Sequence, residues 1–152
     1  MDAPLHREIA VATYNRCWEL LERDRRSPDD DAELLTSAFT SRHHWSFVGG
    51  LEQTTCADWM VSRAAASQNL GSLAVLYAQR AYEAATTSSV ADWLLASTAE
   101  GLARAYAASG EQVRRDEWCD IAATLVEAIM DPEDRGLIAS QLASVPSAAP
   151  RG

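Results

Sequence analysis

Apolar residues return every third or fourth position along most of the chain, the period of an amphipathic helix rather than the alternation of a strand. Leu5, Ile9, Cys17, Leu20 and Leu21 share one side of a segment that opens at Asp2 and Pro4 and runs to about Asp24. Glu8, Asn15, Glu19 and Glu22 share the other, with Tyr14 and Trp18 at the flank, so the apolar face is wide enough to need two packing neighbours. The stretch from Arg25 to Asp31 reads as a turn and a helix start: Ser27 caps, Pro28 takes the first helical position, and three acids meet the positive end of the dipole. This second helix continues to about Phe47 with a buried stripe of Leu34, Leu35, Ala38, Phe39 and Trp45. Val48-Gly49-Gly50 ends it.

A short pattern then occurs twice. Thr55-Cys56-Ala57-Asp58-Trp59-Met60 returns as Ser89-Val90-Ala91-Asp92-Trp93-Leu94. In each copy a hydroxyl residue followed by Asp three positions later reads as a capping-box-like helix start. These starts give a third helix from Thr55 to about Asn69 and a fifth from Ser88-Ser89 to about Ser109. Between them a fourth, about Ser72 to Thr86, buries Ala74, Tyr77, Ala78, Ala81 and Ala85, small residues that allow close helix approach. The fifth carries Leu95, Ala99, Leu102, Ala103 and Tyr106 inward. The sixth, about Glu111 to Met130, carries Trp118, Ile121, Ala122, Leu125 and Ile129. Asp131-Pro132-Glu133-Asp134 starts a short last helix through Leu137, Ile138, Gln141 and Leu142, placed to lid an open apolar end. The fold class expected is therefore all-α, about seven helices in stacked antiparallel hairpins with no sheet, one domain over residues 1–146 and a flexible tail over 147–152.

The separation of the two Trp-bearing segments is close to the ~34 residues of one tetratricopeptide unit. The Leu70-Gly71 turn, the small-residue helix with Tyr77 and Ala81, and Ala103-x-x-Tyr106-x-x-x-Gly110 resemble degenerate tetratricopeptide repeats over roughly residues 55 to 130. That resemblance implies a right-handed helical solenoid with a concave binding surface. Ser41-Arg42-His43-His44-Trp45 and the segment from Asp131 to Pro146 are also similar to a group of short, functionally uncharacterised bacterial proteins of this type, a likeness that carries no activity with it.

Composition narrows the partners. The formal net charge is −9, and the positive charge is carried wholly by arginine. A phosphate backbone would be repelled, so nucleic acid is not an expected partner. No apolar run approaches the ~20 residues of a membrane-spanning helix and no signal-like segment opens the chain, so no membrane is expected and the cytoplasm is the expected location. Cys17, Cys56 and Cys119 are odd in number and widely spaced, which suits small buried hydrophobes rather than a disulfide framework or a zinc site.

Candidate chemistry concentrates on a few side chains. Arg42, beside Leu35 and Trp45, and Arg63, beside Cys56, Trp59 and Ser67, both fall on apolar faces. A guanidinium there must be paired with an internal carboxylate or face an anionic ligand. His43-His44-Trp45 is conspicuous, but adjacent histidines point about 100° apart on a helix and share a metal poorly. No metal or cofactor is expected. Trp93, Ser97, Glu100 and Arg104 recur at helical spacing and would line the concave groove, unless Glu100 and Arg104 form only a surface pair. No glycine-rich phosphate loop, Gly-x-Ser-x-Gly elbow or His-Glu-x-x-His occurs, so no catalytic residue is assigned.

The expected function is a non-catalytic module holding a peptide or protein partner in its groove, through Arg42, His43, Trp45, Trp59, Arg63, Trp93, Ser97, Glu100 and Arg104. The alternative is a small helical enzyme or anionic small-molecule-binding protein using Arg42, Arg63 and His43 in an interhelical pocket. Homodimerisation through apolar ends is a third expectation.

Overall fold

A computed structural model describes residues 1–150. Seven α-helices follow one another: α1 (Ala3–Leu21), α2 (Pro28–Val48), α3 (Leu51–Ala66), α4 (Gly71–Thr87), α5 (Asp92–Ala108), α6 (Gln112–Glu127) and α7 (Pro132–Ala143), with no strand among the described residues. Each helix packs on the next, and the odd-numbered helices also contact one another in the order α1, α3, α5, α7. The even-numbered helices do not pack backbone to backbone; α2 meets α4 and α4 meets α6 through side chains, Phe39 on Tyr77 and Tyr82 on Trp118. The odd helices thus form a continuous inner row, and each even helix fills the outer crevice between two of them. This all-α packing suits stacked hairpins.

The starts at Ser27 and Asp131 are built as the sequence implies. Ser27 Oγ accepts from Asp30 N at 3.1 Å while the Asp30 carboxylate accepts from Ser27 N at 3.0 Å; Asp131 accepts from Asp134 N at 2.9 Å. Two other expected starts are corrected. α3 begins at Leu51 directly after Gly50, whose N–H donates to the Gln53 side chain at 2.9 Å, so Thr55 is interior and buried. α5 begins at Asp92, with Ala91 rather than Ser89 at the cap. A glycine followed by a residue three positions on that reaches back to its N–H does the work expected of Thr55.

These shifts change the repeat. Asn69 and Gly110 both have positive φ, 56° and 79°, and each closes a helix in the same way. Leu70 N donates to Ala65 O, and 41 residues on Glu111 N donates to Tyr106 O, both at 3.0 Å. The same interval separates Trp18 from Trp59, whose rings lie 5.8 Å apart. The structural period is therefore 41 residues rather than the one linking Trp59 to Trp93. Trp59 stands deep inside α3 and is buried; Trp93 is the second residue of α5 and half-buried. They are not equivalent rungs, although the helices bearing them are.

The core runs along the stack in steps. Cys17, Leu20, Leu34, Ala38, Trp59 and Met60 join α1, α2 and α3, and Ala65, Ala74, Ala78, Leu102 and Tyr106 join α3, α4 and α5. Ala96, Val126, Ile129 and Ile138 close the α7 end. On α6 the buried stripe passes through Val126, while Ile121 is exposed. On α2 the expected core residue Phe39 is also exposed at the surface, edge-on to Tyr77 at 5.5 Å. Gly71 is required at its turn, since a Cβ there would stand 2.5 Å from the Ser109 backbone.

After α7 the chain is held against α5 and α6. Arg115 donates to the carbonyls of Val145 at 2.8 Å and Pro146 at 2.9 Å, Ala148 N donates to Gln112 Oε1 at 2.7 Å, and Ala149 N donates to Ala107 O at 2.8 Å. Residues 151 and 152 of the expected tail lie outside the described residues.

Candidate functional site

Arg42 and Arg63 are each drawn to an internal carboxylate, and not to the same one. Arg42 on α2 donates through Nε to Asp58 Oδ1 at 2.5 Å, and Arg80 on α4 approaches Asp58 Oδ2 at 3.5 Å. Both guanidinium groups also lie against the Tyr77 ring, 5.3 and 5.7 Å from its centroid. Asp58, read from sequence as a helix-start acid, instead sits mid-α3 and is nearly buried, so its charge requires these partners. A polar cleft of about 480 Å³ opens beside them, lined by Ser46, Thr54 and Glu83 among others.

The second centre lies on the inner row. Glu100 of α5 has no exposed surface. Its Oε1 accepts from Arg104 Nε at 2.8 Å, lies 2.7 Å from Arg104 Nη2, and is 3.5 Å from Arg63 Nη1 of α3. Arg104 extends further, donating to the Gln141 carbonyl at 2.9 Å and to Ser144 Oγ at 2.8 Å, which fixes the end of α7. Its hydrogen-bonding is well used. Arg63 is the less satisfied cation: its Nη1 and the second oxygen of Glu100, Oε2, are buried without a hydrogen-bond partner. Burial first, and then the neighbouring Arg104, lower the Arg63 pKa to about 10 against the opposing pull of Glu100.

Arg63 and Arg104 line a groove of about 480 Å³. Its walls include Leu21, Ala66 and Ala108, the last residues of α1, α3 and α5, so three helix C-termini converge there. Arg26 completes the basic lining; it donates to Asp31 at 2.7 Å and to Ser67 Oγ at 2.9 Å, with the Ser67 carbonyl at 3.3 Å. A cation beside those carbonyl ends is electrostatically favoured. The remaining wall is the segment from Pro146 to Pro150.

The other sequence candidates disperse. Trp59 packs on α5: its indole N–H donates to the Ser97 carbonyl at 3.1 Å, and its ring lies where a Cβ on Gly101 would come within 2.9 Å. Ser97 therefore contributes its backbone. Trp93 packs on the α5–α6–α7 core, and Trp45 is buried with Ala10 and Ala57 under Arg7. His43 is exposed on α2, in ring contact with His44 and Phe47 at 5.2 and 5.1 Å. The set brought together is Trp59, Arg63, Ser97, Glu100 and Arg104, while Arg42, His43, Trp45 and Trp93 stand elsewhere.

Sequence reasoning missed Asp58 and Arg80 as partners of Arg42, and Arg26 as a groove residue. The recurrence of Arg42, Asp58 and Arg80 around one tyrosine joins three helices and has no local signature. Among the described residues no group of three or more His, Cys, Asp or Glu is placed to hold a metal ion. Burial raises the thiols of Cys17 and Cys56 to about 12 and about 11, against thiolate chemistry at neutral pH.

Fold and site together define an all-helical protein with a basic groove on its inner row. Comparison with protein-family models, with curated proteins and with solved structures finds no match. No helix is long and apolar enough to cross a membrane.

Proposed function

We propose that the chain is a non-catalytic, tetratricopeptide-like binding module, of the kind met in short bacterial proteins, that holds an extended peptide segment of a partner in the groove along α1, α3 and α5. The observation that carries this reading is the lining of that groove, where Arg26, Arg63 and Arg104 stand among the carbonyl ends of α1, α3 and α5. Arg63 presents there a guanidinium that Glu100, buried beneath it and out of a guest's reach, answers only at 3.5 Å. A peptide offers carbonyls to such cations and N–H groups to the neighbouring helix-end carbonyls, a pairing of which a simple anion supplies only half. Three free cysteines, none in a disulfide, suit the reducing cytoplasm.

The rival reading, an enzyme or anion-binding pocket formed jointly by Arg42, Arg63 and His43, loses support on geometry. The two arginines line separate clefts and each has its own carboxylate, and His43 borders neither. Selection from a displayed random-peptide library against the purified protein tests the proposal. Peptides that bind, and that lose at least tenfold in affinity to Arg63→Ala but not to Arg42→Ala, are expected. Failure to select any peptide, or peptides indifferent to Arg63, would end it.

A further inference from the structure

The segment that follows α7 lies along one side of the groove, held by its backbone to α5 and α6. Val145 is its anchor, buried against Ala103, Ala107 and the half-buried Trp118 and Cys119. Beyond it, every hydrogen bond described for the segment uses main-chain atoms: the carbonyls of Val145 and Pro146 accept from Arg115, and the amides of Ala148 and Ala149 donate to Gln112 Oε1 and Ala107 O. Ala107 lies one residue from the end of α5, and its carbonyl accepts from Gly110 N at 3.1 Å as well as from Ala149 N. The side chains from Ser147 to Ala149 are small, and prolines flank them at 146 and 150. A segment of this composition has little tendency to leave the extended state and loses little side-chain entropy when held. The same residues form one wall of the cleft whose other walls include Arg26, Arg63 and Arg104.

From this arrangement we infer that residues 146–150 are an internal ligand of the groove, and that a partner peptide of the same chemistry, extended, rich in small residues and bounded by proline, exchanges with them. The inference rests on the peptide-groove reading and adds to it the guest's character and a gate. Anchored at Val145, the segment sits at an effective concentration of order millimolar beside its own site. If it is seated about nine-tenths of the time, a competing guest meets a tenfold loss of apparent affinity. Arg115 and Gln112, both on the surface turn of α6 and outside the core, are the residues that set this occupancy.

Two measurements on the full chain test it, comparing wild type with the double variant Ala148→Pro, Ala149→Pro, which removes the segment's two N–H donors and leaves Arg115, Gln112 and Ala107 in place for a guest. Nitrogen-15 relaxation should give the Ser147 amide an order parameter near the rigid value of about 0.85 in wild type and below about 0.6 in the variant. A fluorescein-labelled synthetic peptide spanning Ser144 to Pro150 should bind the variant at least tenfold more tightly than wild type by anisotropy. Order parameters below about 0.6 in wild type overturn the internal ligand. So does a variant that binds library-selected peptides but ignores the Ser144–Pro150 peptide. Selected peptides that bind both proteins alike overturn the gate and leave the groove standing, whereas the absence of any selected peptide condemns the groove reading itself. Should the double variant unfold, Ala149→Pro alone removes only the segment's bond to Ala107 O and leaves the site intact, and a gain in peptide binding of twofold or less would count against the proposal.

Discussion

Replacing Glu100 by glutamine keeps shape and removes one charge from a site with no solvent access. In the native chain that charge is shared between Arg104, at 2.7 to 2.8 Å, and Arg63, at 3.5 Å. Breaking a buried pair by neutralising one member leaves the partners uncompensated, at a cost of about 3 to 5 kcal/mol. The lower end applies here, because Arg63 and Arg104 keep 19% and 11% of their side-chain surface exposed and the amide oxygen still accepts one bond. With a melting shift of about 2 to 4 °C per kcal/mol for a chain of this size, Glu100→Gln should lower Tm by roughly 6 to 12 °C. Arg63→Leu provides the control. It removes the less satisfied cation and leaves Glu100 with Arg104, so its cost should stay below about 1 kcal/mol. Thermal unfolding followed by circular dichroism reads both. If Arg63→Leu proves as damaging as Glu100→Gln, Arg63 is a structural counter-ion, and its availability to a guest is refuted.

Three further expectations follow from other parts of the stack. Gly101→Ala should cost about 1 to 3 kcal/mol and shift tryptophan emission, because its Cβ would meet Trp59 Cδ1 at 2.9 Å on a face with no room to yield; unchanged emission and Tm would contradict that contact. Ser27→Ala should lower stability by about 1 kcal/mol through loss of the bond to Asp30 N, measurable in urea unfolding as a lower midpoint at unchanged m. His44, whose ring is bonded to His6 at 2.8 Å, has its pKa lowered by burial, then by His6 and His43. The unfolded state therefore takes up the proton first. The stability this contributes is complete above about pH 6.5 and declines as the pH falls toward the folded value. Between pH 7.5 and 5.5 Tm should fall more for wild type than for His44→Phe, and equal slopes would refute the assignment.

What the sequence made legible is what local chemistry encodes. Ser27-Pro28 with its acids, and Asp131-Pro132 with Asp134, state helix starts within four residues, and both stand where they were read. Thr55 and Ser89 offered the same signature and were misread. Gly50 with Gln53 supplies an earlier start in one case, and in the other Asp92 is committed to Trp93 N and to Met130 N, 38 residues away. Arg42 and Arg63 were recognisable as cations in need of partners because they fall on apolar faces. Which carboxylates would answer depended on packing between helices: Asp58 resembled a capping residue, and Glu100 with Arg104 resembled an ordinary surface pair. The 41-residue interval was hidden because helix-end geometry carries it, an asparagine at one end and a glycine at the next, more than any repeated word does.

The meeting of three helix C-termini at the groove has a bearing on what enters it. Carbonyl oxygens crowd that mouth, and the arginines stationed there offset them rather than leaving a surplus of positive field. On the peptide-binding proposal, a visitor would be sorted by the hydrogens it brings as much as by its charge. Strips of backbone with unspent amides would then gain admission, while bare oxyanions would meet lone pairs at the threshold.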